Sequence, residues 1–218
     1  MIAFGASDMT KAYVGSTEAS KAYLGDELVW GGESPALPYD AEIEYLQSSG
    51  TQYINTGIKI TKGDVITLTF QTVGTQSTAF MGCRTSGTSG KCVIGSGSSS
   101  TIIYASLGST TNTKLINFNQ SKHTIVLNTS SGKASIDGGT EKSVGTYTAN
   151  NLNVLLFACN QGGTPSLHSS INIFSVNISG KASFIPVRVG TTGYMYDTVS
   201  GELFGNNGTG SFILGPDV

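Results

Sequence analysis

His123–Gly138 reads HTIVLNTSSGKASIDG. His123 to Leu127 and Lys133 to Ile136 are short runs rich in apolar and β-branched residues. Between them, Asn128-Thr129-Ser130-Ser131-Gly132 is a run of turn formers. Asn and Ser side chains fold back on their own backbone and Gly accepts positive φ, so the stretch predicts a β-hairpin with a five-residue loop. Upstream, Ile66, Leu68 and Phe70 alternate with Thr67, Thr69 and Gln71. That period of two predicts a strand with one buried face and one Thr-rich wet face. Leu152, Val154 and Leu156 alternate in the same way. In Ile171–Ile178 the apolar face changes sides between Ile173 and Phe174, which predicts a β-bulge or a strand buried on both faces. Pro186, inside Phe184–Val189, has no N–H to donate and predicts an edge position. Tyr194–Tyr196 and Leu203-Phe204 flank Asp197–Gly201 as a further hairpin, and Phe212-Ile213-Leu214 closes the chain. Strands recur between turn signals, and no amphipathic stretch reaches ordinary helix length. The predicted class is all-β, two packed antiparallel sheets forming a sandwich or jelly roll.

Composition agrees. The 218 residues include 29 Gly, 28 Ser and 26 Thr, while charged residues are 12%. Apolar residues are 38% and the net charge is −2, so the chain carries enough core and too little charge for disorder. A pI near 5.6 with no basic cluster excludes nucleic acid as the partner. No apolar run approaches the ~20 residues that span a bilayer, so membrane insertion is not expected. The first fifteen residues lack the charged and apolar regions of a secretory signal, which predicts either assembly in a cytoplasm or a recombinantly trimmed start.

Residues 11–20 (KAYVGSTEAS) and 21–30 (KAYLGDELVW) repeat Lys, Ala, Tyr, an aliphatic residue and Gly in register. Each unit predicts a short strand followed by a Gly turn. Two ten-residue units cannot bury a core alone, so the segment is expected to dock on a partner. Tyr13, Tyr23 and Trp30 are its expected anchors. Gly31-Gly32-Glu33-Ser34-Pro35-Ala36-Leu37-Pro38 reads as a linker. The expected organisation is therefore an arm at 1–32, a linker at 33–40 and a domain at 41–218.

Chemistry is sparse. Glycoside hydrolysis needs two facing carboxylates. Glu42-x-Glu44 is the nearest pattern, and it sits at the domain entrance as a solvated edge. His123 and His168 are the only histidines and no Gly-x-Ser-x-Gly elbow occurs, so nucleophilic catalysis is not expected. His123 reads as an edge residue. Asp64, Asp137 and Asp197 are isolated, so no Ca²⁺ ligand set can be named; no cofactor is expected, with a Ca²⁺ site as the alternative. Cys83, Cys92 and Cys159 do not form a disulfide framework. Cys83 and Cys92 flank a Gly/Ser turn and read as buried free thiols, with a bridge across the hairpin as the alternative. The four Asn-x-Ser/Thr sequons, beginning at Asn119, Asn128, Asn177 and Asn207, follow from the Ser and Thr content. Recognition of a glycan needs aromatic and polar groups on exposed loops. The candidates are Arg84, Tyr104, Asn160, Gln161 and His168.

Several stretches resemble a known family. YLQSSGTQYINTG (45–57), FMGCR (80–84), the hairpin at 123–138 and INIFSVNISGKASFIP (171–186) resemble strands of concanavalin A-like, laminin-G-like jelly rolls. PVRVGTTGYMYDTVSGELFGNNGTGSFILGPD (186–217) resembles the end of such domains in structural proteins of tailed bacteriophages. KAYLGDELVW resembles N-terminal segments of phage virion proteins. The resemblance implies a two-sheet jelly roll with a short β-rich arm, on the surface of a virion as a fibre or capsid decoration. It implies a non-enzymatic adhesin for host-surface glycans, joined to other virion proteins through residues 1–32, with a homotrimer suiting a fibre. A purely structural decoration and a bacterial cell-surface or secreted carbohydrate-binding module are the alternatives.

Overall fold

A computed structural model describes residues 12–14, 17–19, 21–24, 27–31, 36–74, 78–97, 101–109 and 111–218, the first four segments as backbone only. The chain divides into two compact units, Met1–Leu37 and Pro38–Val218.

In the first unit each repeat forms its own hairpin. Ala12–Val14 pairs with Thr17–Ala19, and Lys21–Leu24 pairs with Glu27–Gly31. The second half of each repeat is thus a strand too, where the sequence predicted only a turn. The pairs Val14↔Thr17 and Leu24↔Glu27 leave two residues for each connection, the shortest hairpin link. The side chains of Tyr13, Tyr23 and Trp30 lie outside the described residues.

The second unit is all-β: two antiparallel sheets packed face to face as a β-sandwich, with no helix among the described residues. The larger sheet is centred on Val65–Thr72, flanked by Lys122–Asn128 and Ile171–Ile178. It continues outward through Ala182–Val189 and Thr192–Asp197 on one side and Lys133–Ile136 on the other. The smaller sheet runs Thr113–Asn117, Ile102–Gly108, Lys91–Ser96, Ala79–Arg84, Asn153–Leu156 and Ile54–Lys59. A short hairpin, Cys159–Gln161 with Thr164–Ser166, joins the smaller sheet by a parallel pairing to Ala79–Arg84. Among the described residues no helix is long and apolar enough to cross a membrane.

The alternation read from sequence builds the core. Ile66, Leu68 and Phe70 are buried while Thr67, Thr69 and Gln71 are half-exposed. Phe70 meets Phe80 of the opposite sheet with ring centroids 4.7 Å apart. The 123–138 hairpin pairs Ile125↔Ile136 through Asn128↔Lys133, so the first strand runs one residue further and the loop is four residues. The bulge falls between Ile173 and Ser175 and makes Phe174 the inserted residue.

Two expectations need correction. Pro186 is not on an edge strand, because Ala182–Val189 pairs on both sides. The ladder to Ile171–Ile178 ends at Phe184, so no donor is missed at Pro186. His123 is 8% exposed on an interior strand and not at an edge. One ring nitrogen faces Asp137 Oδ2 at 2.6 Å and the other Asn119 Oδ1 at 2.7 Å. The isolated acids are structural. Asp64 accepts from Thr61 N–H and binds Lys181, Asp137 receives Thr124 N–H, and Asp197 receives the N–H groups of Ser183, Val199 and Ser200. The three cysteines are free and buried, with Cys83 directly opposite Cys92.

Candidate functional site

Two loops from opposite ends of the chain zip together and form a cleft. The first, Ser48–Tyr53, is shaped by Gln52. Its Oε1 accepts from Ser49 N–H at 2.8 Å and Ser48 Oγ at 3.0 Å, and its Nε2 donates to the Ser211 carbonyl at 3.1 Å. Gly50 takes φ +104° in this turn, a value that disfavours any side chain. The second loop is Asn206-Asn207-Gly208-Thr209. Asn206 Oδ1 accepts from Tyr53 N–H and Gly208 N–H, Asn207 Oδ1 accepts from Asn55 N–H, and Asn207 N–H donates to the Tyr53 carbonyl. Thr51 Oγ1 donates to the Thr209 carbonyl at 2.9 Å. Gly208 is obligatory here, since a Cβ would lie 2.1 Å from the Thr51 carbonyl oxygen.

The third wall is the Thr164–Ser166 strand and the residues after it. Leu167 has φ +52°, a kink that turns the following His168 toward Tyr53. The Tyr53 and His168 rings meet edge-on, centroids 5.6 Å apart and planes at 65°. Together with Pro165 these groups line an open depression of ≈ 460 Å³ with Gly50, Thr51, Asn207, Gly208 and Thr209. Tyr53, Pro165 and His168 are half-buried, and none of the lining residues is a carboxylate. The Tyr53 hydroxyl, the His168 ring nitrogens and Asn207 Nδ2 make no hydrogen bond among the described residues. The cleft therefore offers an aromatic edge, a proline face and several polar groups still open to a ligand.

The other candidate residues lie elsewhere. Arg84 and Gln161 come together: the parallel register aligns them, and Gln161 Oε1 accepts from Arg84 Nε at 3.1 Å and Nη2 at 2.5 Å. Asn160, 8% exposed, spends its amide on its surroundings, donating to the Asn153 carbonyl of the preceding strand and receiving Gly163 N–H of its own hairpin. Tyr104 is 4% exposed and packs in a small cluster with Ala79, Val93 and Cys159. Burial pushes its hydroxyl up to about 12, and its ring presents no face to a ligand. Lys91 is buried near Arg84. Desolvation, and then the Arg84 charge, hold its ammonium below the usual range.

Of the five candidates, only His168 enters the cleft. Sequence reading missed Tyr53, which lay inside the stretch read as an opening strand, and also Asn207. A usable signal was present: Asn206-Asn207-Gly208 is the densest Asx/Gly turn in the tail. Among the described residues no three His, Cys, Asp or Glu side chains converge to hold a metal ion.

Comparison with known proteins returned no matching family model, no similar curated protein and no similar solved structure.

Proposed function

We propose that this protein is a non-enzymatic glycan-binding adhesin whose β-sandwich recognises a neutral saccharide in the Tyr53–His168 cleft. The observation that carries this reading is the cleft's equipment. An aromatic ring and a proline supply an apolar platform for sugar C–H groups, and Thr, Asn and His supply directional partners for hydroxyls. The lining holds no carboxylate, so the pair of acids that glycoside hydrolysis commonly uses is not among its residues. Its walls are loops held by backbone and Asx hydrogen bonds, a rigid frame that saves ordering entropy on binding.

The wider setting follows the resemblance. The domain is a concanavalin A-like jelly roll on the surface of a tailed-phage virion, as a fibre or decoration protein that contacts host glycans. The paired hairpins at residues 12–31 favour an attachment role for the arm, because isolated two-stranded ribbons expose edges that invite strand addition. A homotrimer would multiply weak single-site affinity into avidity.

The test is binding of the full chain, immobilised at high density, to an array of bacterial surface glycans, with Ca²⁺ and with EDTA. Reproducible binding of neutral glycans that survives EDTA supports the reading. No binding at densities that allow avidity leaves a structural decoration without sugar recognition.

A further inference from the structure

We infer that Arg84 and Lys91, on the outer face of the smaller sheet, form a binding site for an oxyanion, the carboxylate or phosphate of an acidic ligand. The site shares no lining residue with the Tyr53–His168 cleft, and the inference does not rest on the reading of that cleft.

The register brings the two cations together. Cys83 pairs with Cys92, and one step further along the ladder Lys91 stands opposite Arg84. Cys83 and Cys92 belong to the core between the sheets, so the period of two turns Arg84 and Lys91 to the other face. Val93 and Cys159, on that same face, pack in the separate cluster with Tyr104. The parallel pairing sets Gln161 on the far side of Arg84. A row of Lys91, Arg84 and Gln161 therefore crosses three strands.

The charge along this row is one-sided. Residues 65–136 contain no Asp or Glu, and no strand of the smaller sheet contains one either. Like charges directly opposite in a ladder are destabilising, and departures from pairing rules of this kind are expected at functional sites. Among the described residues Arg84 forms no ion pair. Its Nε and Nη2 both donate to Gln161 Oε1, a neutral acceptor, at 3.1 and 2.5 Å. Gln161 thus occupies one edge of the guanidinium, while Nη1 makes no hydrogen bond among the described residues. The edge made by Nη1 and Nη2 is a fork that fits a carboxylate or phosphate through two parallel N–H bonds.

The two cations have different parts. Arg84 is half-exposed and meets the ligand, whereas Lys91 is 8% exposed and supplies charge beside it. Desolvation, and then the Arg84 charge, hold the Lys91 ammonium below its usual range. An anion on Arg84 offsets that repulsion, and in a poorly solvated place its attraction to the second cation is strengthened. A neutral glycan gains nothing from this arrangement and is not expected to use the site.

The test titrates the full chain calorimetrically, at low ionic strength, with inorganic phosphate, glucose 6-phosphate, glucuronate and glucose, with melting temperature read for every variant. Anion binding should weaken as salt is raised. Binding of inorganic phosphate supports the site with the free ion as sufficient ligand, and binding of only the two acidic sugars supports it with a sugar-borne oxyanion. Arg84→Gln should weaken the anions about tenfold or more and leave glucose unchanged, and Arg84→Lys, which keeps the charge and loses the fork, should fall between. Lys91→Met should weaken the anions about threefold or more. Tyr53→Ala should leave them unchanged. The inference is overturned if none of the anions binds the wild type, or if a folded Arg84→Gln protein binds them as the wild type does. A folded Lys91→Met protein with unaltered anion binding overturns the paired-cation site, and the Arg84 variants decide the case if Lys91→Met does not fold. Loss of anion binding in Tyr53→Ala alone assigns the anion to the cleft, which overturns the inference while sparing the cleft.

Discussion

Tyr53 and His168 belong to different segments of the sandwich, yet their rings meet at 5.6 Å across the mouth of a cleft that combines aromatic and open polar groups. The contact depends on two local devices, the Asn206–Tyr53 hydrogen bond and the left-handed turn at Leu167. Ring stacking of this kind contributes about 0.5–1.5 kcal/mol beyond burial. Tyr53→Ala should therefore weaken glycan binding about tenfold or more and lower the melting temperature by only a few degrees. Parallel binding isotherms and thermal melts check both numbers.

The cleft wall is equally sensitive to backbone. Gly208→Ala drives a methyl against the Thr51 carbonyl oxygen, which a Cβ would approach to 2.1 Å. The two loops must separate, breaking the Thr51 and Asn207 bonds. We expect a loss of binding comparable with Tyr53→Ala, together with a stability cost of about 1–3 kcal/mol. A denaturant titration alongside the binding curve measures it.

The sequence carried the sandwich because period-two alternation is local. Residues 66–71 and 123–136 each state their face within a few positions, and the face switch at Ile173–Phe174 stated its bulge. The cleft was hidden because its walls are joined by hydrogen bonds between Tyr53 and Asn206, far apart along the chain, and no periodicity reports a loop that meets another loop. The same limit hid the partner of Arg84. A lone arginine in a Gly/Ser loop looked available, but the parallel pairing to Gln161 supplies its acceptor. His123 looked peripheral for the related reason that Asp137 and Asn119, its partners, flank the strand in turns.

An ion pair between the buried Asp64 and the half-buried Lys181 ties the end of the sandwich. Lys181 Nζ lies 2.6 Å from Asp64 Oδ2 and also donates to the Lys59 carbonyl and to Thr61 Oγ1. Removing the carboxylate leaves the Thr61 N–H without its acceptor and takes one of three partners from the ammonium. Asp64→Ala should cost about 1–3 kcal/mol, the range for leaving a buried donor unsatisfied. Asp64→Asn, which keeps an acceptor, should cost less. Chemical denaturation of the two variants ranks them.

Alkali should unfold the protein cooperatively. Burial pushes Cys159, Tyr104 and Tyr147 up to about 12, and raises Cys92 well above its ordinary 9.0. Each folded-state value exceeds the unfolded one, so the stabilisation is complete below about pH 9 and is lost as pH rises toward 12. At the acid end, burial alone would raise Asp197, but the N–H groups of Ser183, Val199 and Ser200 hold it below 3.8. That contribution is present above 3.8 and fades as pH falls below it. Melting temperature from pH 3 to 12 should form a plateau with both shoulders. The thiols should also resist alkylation at pH 8 in the folded protein, and all three should react in denaturant, as intact mass will record.

The most direct measurement is isothermal titration of the full chain with the best glycan from the array, comparing wild type, Tyr53→Ala and Arg84→Ala. Recognition in the cleft requires Tyr53→Ala to weaken binding about tenfold or more while Arg84→Ala changes it by less than about threefold. Binding that survives Tyr53→Ala and disappears in Arg84→Ala would contradict this, and would move recognition to the Arg84–Gln161 face of the smaller sheet.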